Sequence, residues 1–125
     1  IPLVIGAGAI GLSVVAALKR RGIGPIVVAD FSDSRLEIAR QMGADIVIAV
    51  DVSWRGSADA DQADVVIRPQ TIRTRITDFS QKIANLAAGE EAAREVVPQV
   101  RELLQRVAQE KAARQPLQVG AARLR

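Results

Sequence analysis

Gly6, Gly8 and Gly11 are spaced Gly-x-Gly-x-x-Gly, between the apolar run Leu3-Val4-Ile5 and a stretch of helical pattern. Each glycine has a physical task. Gly6 permits a tight turn out of a strand. Gly8 lets the main chain come close to a pyrophosphate. Gly11 lets a helix pack tightly on a sheet. The amides of Ala9, Ile10 and Gly11 then face a phosphate at the positive end of that helix. Asp30 follows Gly11 by 19 residues, near the ~20-residue spacing at which an acid bonds the adenosine ribose hydroxyls. A carboxylate there repels a 2′-phosphate, so NAD is the expected cofactor ahead of NADP. Arg35 is near enough in sequence to cover an adenine face, or to soften that preference towards NADP.

The remaining side chains exclude more than they offer. The 125 residues contain no Cys and no His. Disulfides, zinc sites built on Cys or His, a His general base and a Ser-His triad are therefore excluded within the chain. No catalytic residue and no metal site is assigned. Asp51, Asp59, Asp61 and Asp64 match no calcium-loop spacing and read as a solvated acidic loop. Trp54, beside Arg55, reads as a cover for a core edge. Arg68, Arg73 and Arg75 open the basic half of the chain and read as a solvated helix face. Residues 1–64 carry a net charge of −2 and residues 65–125 a net +5, giving +3 in all. Basic and acidic residues interleave in the second half, so nucleic acid is not favoured as a partner.

The elements that must position these groups follow from periodicity. Leu3-Val4-Ile5 reads as a buried strand. Leu12 to Arg21 reads as a helix, with Val14, Val15, Ala17 and Leu18 facing the sheet and Gly22 and Gly24 ending it. Ile26 to Ala29 is a second strand, mostly β-branched and continuous, as in a strand covered on both faces. Asp30 stands at its end. Ser32 or Asp33 caps a helix from about Ser34 to Met42, with Leu36, Ile38 and Ala39 inward and Gly43 as its stop. Ile46 to Val50 is a third strand, and Val65 to Ile67 a fourth. Strands alternating with helices imply parallel pairing with right-handed crossovers. This is one mononucleotide-binding half of a doubly wound sheet.

From Pro69 onward the pattern is helical. Ile72, Ile76, Phe79, Ile83 and Leu86 form an apolar stripe. Packing within the domain and a dimer seam are both open for it. Gly89 breaks the stripe, and Glu90 and Glu91 open a second helix with Val96, Val100, Leu103, Leu104 and Val107 on its apolar face. Pro98 kinks that helix or marks a new start. The expected division is a dinucleotide-binding unit over 1–67, a helical segment over 68–115 and a loose tail over 116–125.

Leu3 to Leu12, Val28-Ala29-Asp30, Arg35 to Ala39 and Met42-Gly43-Ala44-Asp45 together resemble the cofactor domain of the medium-chain alcohol and polyol dehydrogenases. The resemblance covers residues 1 to about 50. It implies NAD(P) binding at Gly6, Gly8, Ala9, Ile10 and Asp30, and an oxidoreductase parent that moves a hydride between cofactor and an alcohol or carbonyl. That family draws its zinc ligands and substrate site from a separate catalytic domain, which nothing here resembles. After the third strand it continues with further strand–helix units, where this chain turns helical.

The expected fold is therefore α/β, a Rossmann-like parallel sheet of three to four strands with flanking helices and a C-terminal helical segment. The expected function is an NAD(P)-binding fragment of a medium-chain dehydrogenase-like oxidoreductase, completed by another domain. The alternative is a non-catalytic module whose helical hairpin serves oligomerisation or partner binding. No apolar run reaches the ~18–20 residues of a membrane helix, and no basic leader precedes the first apolar run. A cytoplasmic location without membrane partners is expected. Either a second copy or the missing catalytic domain is expected to meet the helical segment.

Overall fold

A computed structural model describes residues 1–51, 62–70 and 80–114. Leu3–Ile5 (β1), Val27–Asp30 (β2), Ile46–Val50 (β3) and Val65–Ile67 (β4) form one all-parallel sheet in the order β1-β2-β3-β4. Helices Ala9–Arg20 (α1) and Asp33–Met42 (α2) join the first three strands, and Lys82–Arg114 (α3) follows the fourth. The expected α/β, Rossmann-like class is what the molecule has. Its element limits differ from the periodicity reading by a few residues at the first helix and by one at the second strand and second helix.

The sheet has two cores. On one face Ala7, Val15, Ile26, Val28, Leu36, Ala39, Ala44, Val47 and Ala49 pack beneath α1 and α2, with Val4, Leu12 and Leu18 beside them. On the other face Val27, Ile46, Ile48 and Val65 meet Val96, Val100, Leu103, Leu104 and Val107 of α3. Covering on both faces is why the two central strands are unbroken apolar runs. Two inward assignments on the first helix are corrected: Val14 and Ala17 face outward, because the stripe set by Val15, Leu12 and Leu18 already fills the sheet side. Ile38 is likewise exposed while Leu36 and Ala39 are buried.

The helix break expected at Gly89 is also corrected. Gly89 and Pro98 both lie inside the single helix α3. An interior Gly costs about 1 kcal/mol and an interior Pro about 3 relative to Ala. Ala87, Ala88, Glu90, Glu91 and Ala92 are strong helix formers around Gly89, and the five apolar residues from Val96 to Val107 dock on the sheet across Pro98. Their burial outweighs the local cost. Ile83 and Leu86 lie on α3 and are exposed, whereas Ile72, Ile76 and Phe79 fall outside the described residues. Trp54, Asp59, Asp61, Arg73, Arg75 and the expected 116–125 tail fall outside them too.

The Gly-Ala-Asp run before β3 has a structural use. Gly43 ends α2 in the left-handed region, φ +113°, where a side chain is strained. Ala44 is buried in the first core. Asp45 Oδ2 accepts the Ile26 amide at 2.7 Å and the Lys111 ammonium at 2.8 Å, tying the end of α3 to the starts of β2 and β3. The Lys111 side chain is 42% exposed, so solvent screens this pair. Lys111→Met is expected to lower stability by no more than about 1 kcal/mol. Urea unfolding checks this: a larger loss would show the ion pair, and not the apolar seam, to be what holds α3 down.

Candidate nucleotide-binding site

The carboxyl ends of parallel strands are where such sheets place ligands. Here β1 delivers the glycine turn and β2 delivers Asp30. Gly6 takes φ +93°, and its amide donates to the Ala29 carbonyl at 2.8 Å. This bond holds the turn against the neighbouring strand. Gly11 packs against the same turn: a Cβ there would stand 1.8 Å from the Gly6 carbonyl oxygen. At Gly8 a Cβ would meet nothing within 4 Å, so the space above the turn is open.

Gly8 is also the N-cap of α1, with no side-chain cap and no acid in the first turn. The first bond along the helix is Leu12 N–H to the Gly8 carbonyl at 2.9 Å. The amides of Ala9, Ile10 and Gly11 precede it, so they stand at the positive end of the helix with no carboxylate competing for an anion. Ile10 is 84% exposed beside them. These three amides and the open space at Gly8 fit a phosphate group.

Asp30 is buried, 5% exposed. Its Oδ2 accepts the Ala7 amide at 2.6 Å and its Oδ1 accepts the Ser32 amide at 2.8 Å. The carboxylate thus joins the glycine turn to the β2–α2 turn. Each oxygen keeps further acceptor capacity, which suits the paired hydroxyls of a ribose.

Arg35 sits in the first turn of α2, exposed, with its guanidinium 6.0 Å from the centroid of the Phe31 ring. Among the described residues it forms no ion pair. Phe31 escaped the motif reading, although an aromatic residue directly after the β2 acid is a signal in a chain with 2% aromatics. It is 71% exposed. A flat apolar ring left in water next to Asp30 offers a stacking surface.

The structure therefore brings Gly6, Gly8, Gly11 and Asp30 to one turn, with the amides of Ala9 and Ile10 beside them and Arg35 on the next element along. Asp51 and Arg68, at the ends of β3 and β4, pair at 3.5 Å. Asp64 instead serves the sheet, accepting the Val47 amide at 2.8 Å and Arg40 at 3.0 Å. Among the described residues no acidic cluster could hold a metal ion, and no helix is long and apolar enough to cross a membrane.

With this geometry in place, likeness to known proteins is informative. A 58-residue stretch, 46% of the chain, is 43% identical to an L-threonine 3-dehydrogenase of Saccharopolyspora erythraea. A 57-residue stretch is 46% identical to the L-threonine 3-dehydrogenases of Burkholderia mallei and Paraburkholderia xenovorans. That stretch is dehydrogenase-like. The chain spans about 16% of the length of these relatives. No family model and no solved structure matches it. The likeness agrees in kind with the resemblance carried by the glycine turn, Asp30 and the Gly-Ala-Asp run.

Proposed function

We propose that this chain is an NAD(P)-binding fragment of a dehydrogenase-like oxidoreductase, with NAD preferred. The observation that carries the reading is the bond from the Ala7 amide to Asp30 at 2.6 Å. It sets an acid at the end of β2 against a glycine turn whose helix amides stand open. The phosphates would meet the amides of Ala9, Ile10 and Gly11, and Asp30 would accept the ribose hydroxyls. A 2′-phosphate at the same place would face that carboxylate, which is the ground for preferring NAD. Bound there, the cofactor supplies hydride chemistry. The protein's part is to orient it, and the substrate site belongs to further parts of a whole dehydrogenase.

Calorimetric titration with NAD and with NADP tests the proposal. NAD is expected to bind more tightly than NADP. In Asp30→Ala its affinity is expected to fall by roughly tenfold to a hundredfold, the worth of one or two hydrogen bonds to a charged group. The same substitution strips the buried Ala7 amide of its acceptor, at a cost of about 1–3 kcal/mol. Thermal unfolding must therefore show that the variant is folded at the titration temperature. An Asp30→Ala protein that is folded and binds NAD as well as the parent would overturn the assignment.

A further inference from the structure

Acidic and basic residues interleave along the chain, yet folding gathers cations at the end of the sheet away from the glycine turn. Lys19, Arg20 and Arg21 close α1 there, and Lys111 and Arg114 close α3. The Lys19 stem lies against Gly43, where an added Cβ would stand 2.9 Å from Lys19 Cγ and Cδ. Two residues on, Asp45 holds Lys111, and a Cβ on Gly24 would stand 2.7 Å from Lys111 Nζ. The cations therefore form one arc around the starts of β2 and β3. Within it Gly24, Pro25, Ala108 and Ala112 floor an open groove of about 470 Å³, with Lys111 and Arg114 on its α3 wall.

Part of this charge is already used. Asp45 neutralises Lys111, and Glu110 stands on α3 one turn before Arg114. The carbonyl end of α1 uses about half a charge. Lys19, Arg20 and Arg21 are adjacent and exposed, and among the described residues neither they nor Arg114 form an ion pair. The three exceed what their helix uses by about two and a half charges. Such a run beside a groove matches the dense charge of a nucleic acid duplex, about one per 1.7 Å of its axis. Among the described residues no aromatic ring lies at this end for unpaired bases to stack on. Ile23, 44% exposed, is the arc's single exposed large apolar residue, too little to enter a bilayer. We infer that the arc is a docking surface for the phosphate backbone of a duplex, bound without regard to sequence. It uses no residue of the glycine turn and stands apart from the cofactor reading.

The experiment is fluorescence anisotropy of a labelled DNA duplex titrated with the full chain. Three to four phosphate contacts give a slope of about −3 in log K against log salt, so binding is expected to weaken about 60-fold between roughly 50 and 200 mM salt. Duplexes of unrelated sequence are expected to bind equally well. The triple substitution Lys19→Gln, Arg20→Gln and Arg21→Gln keeps a methylene stem beside Gly43. It is expected to weaken low-salt binding at least ~10-fold and to flatten the slope to about −1. Arg94→Gln, elsewhere on α3, is expected to change neither. Thermal unfolding shows whether the triple variant is folded; should it not be, Arg20→Gln with Arg21→Gln gives the same test with a slope change of about two. A folded parent chain that leaves the duplex free, or a folded variant that binds it as the parent does, would overturn the inference. So would displacement of the duplex by NAD, or tighter binding to polyglutamate or to vesicles of phosphatidylserine and phosphatidylcholine than to the duplex.

Discussion

Replacing Gly8 by Asp is expected to abolish nucleotide binding without weakening the fold. Gly8 has φ −77° and ψ −174°, an extended conformation open to any residue. A Cβ there meets nothing within 4 Å. As the N-cap of α1 it brings no acceptor to the first-turn amides, whereas Asp is among the best caps and betters Gly by a few tenths of a kcal/mol. Its charge also suits the positive end of the helix, adding roughly 0.3–1 kcal/mol. The melting temperature should hold or rise by a few degrees. The same carboxylate would occupy the phosphate's place, engage its amide donors and repel its charge. NAD affinity should fall at least ~100-fold, near 2.7 kcal/mol. Titration and thermal unfolding on one preparation check both halves. Undiminished NAD binding would show that the phosphates do not sit on α1.

Gly11→Ala, three residues on, is expected to act the opposite way, through the fold first. Its Cβ would stand 1.8 Å from the Gly6 carbonyl oxygen, 3.0 Å from the Gly6 carbonyl carbon and 3.4 Å from Val4 Cγ1. The nearest obstacles are backbone, so no rotamer change relieves them. Either α1 lifts from the turn, uncovering Val15 and Leu18, or the bond from Gly6 to Ala29 breaks. Overpacking of this kind costs about 3 kcal/mol at the upper end of its usual range. The better helix propensity of Ala returns only about 1. A net loss near 2 kcal/mol lowers the melting temperature of a chain this size by roughly 5–10 °C. Circular dichroism during heating checks it. A melting temperature equal to the parent's would mean that the turn yields freely and that Gly11 is not what seats α1.

Together the two glycines show which parts of the site are legible from residue types. A motif whose members act through the absence of a side chain can be read without coordinates, because only glycine meets its demands. The β-branched runs of β2 and β3 and the acid at the end of β2 are equally plain. Other features depend on what lies across space. That Asp30 also bonds the Ala7 amide is a matter of strand register. That Val14 and Ala17 face outward depends on which side of α1 the sheet lies. By local propensity Gly89 reads as a break and Pro98 as a kink or a new start, yet the apolar residues from Val96 to Val107, docked on the second sheet face, carry one helix through both. The exposure of Phe31 beside Arg35 escaped because a single aromatic side chain has no periodicity to betray it.

The consecutive strand order has a kinetic meaning. Every pairing in the sheet joins strands adjacent along the chain, so β2, α2 and β3 can close as a unit spanning residues 27–50. Short closures of this kind cost little chain entropy and favour fast assembly. The long-range step is the docking of α3, whose Lys111 lies 66 residues from Asp45. Among the described strands β1 and β4 each have one neighbour, but Val65 of β4 is buried against α3 while Leu3 and Ile5 of β1 are exposed, so the amides of β1 should exchange soonest with solvent. The glycine turn thus hangs on the part of the sheet that opens first, and a ligand gripping both that turn and Asp30 would act as an added fastener of that edge.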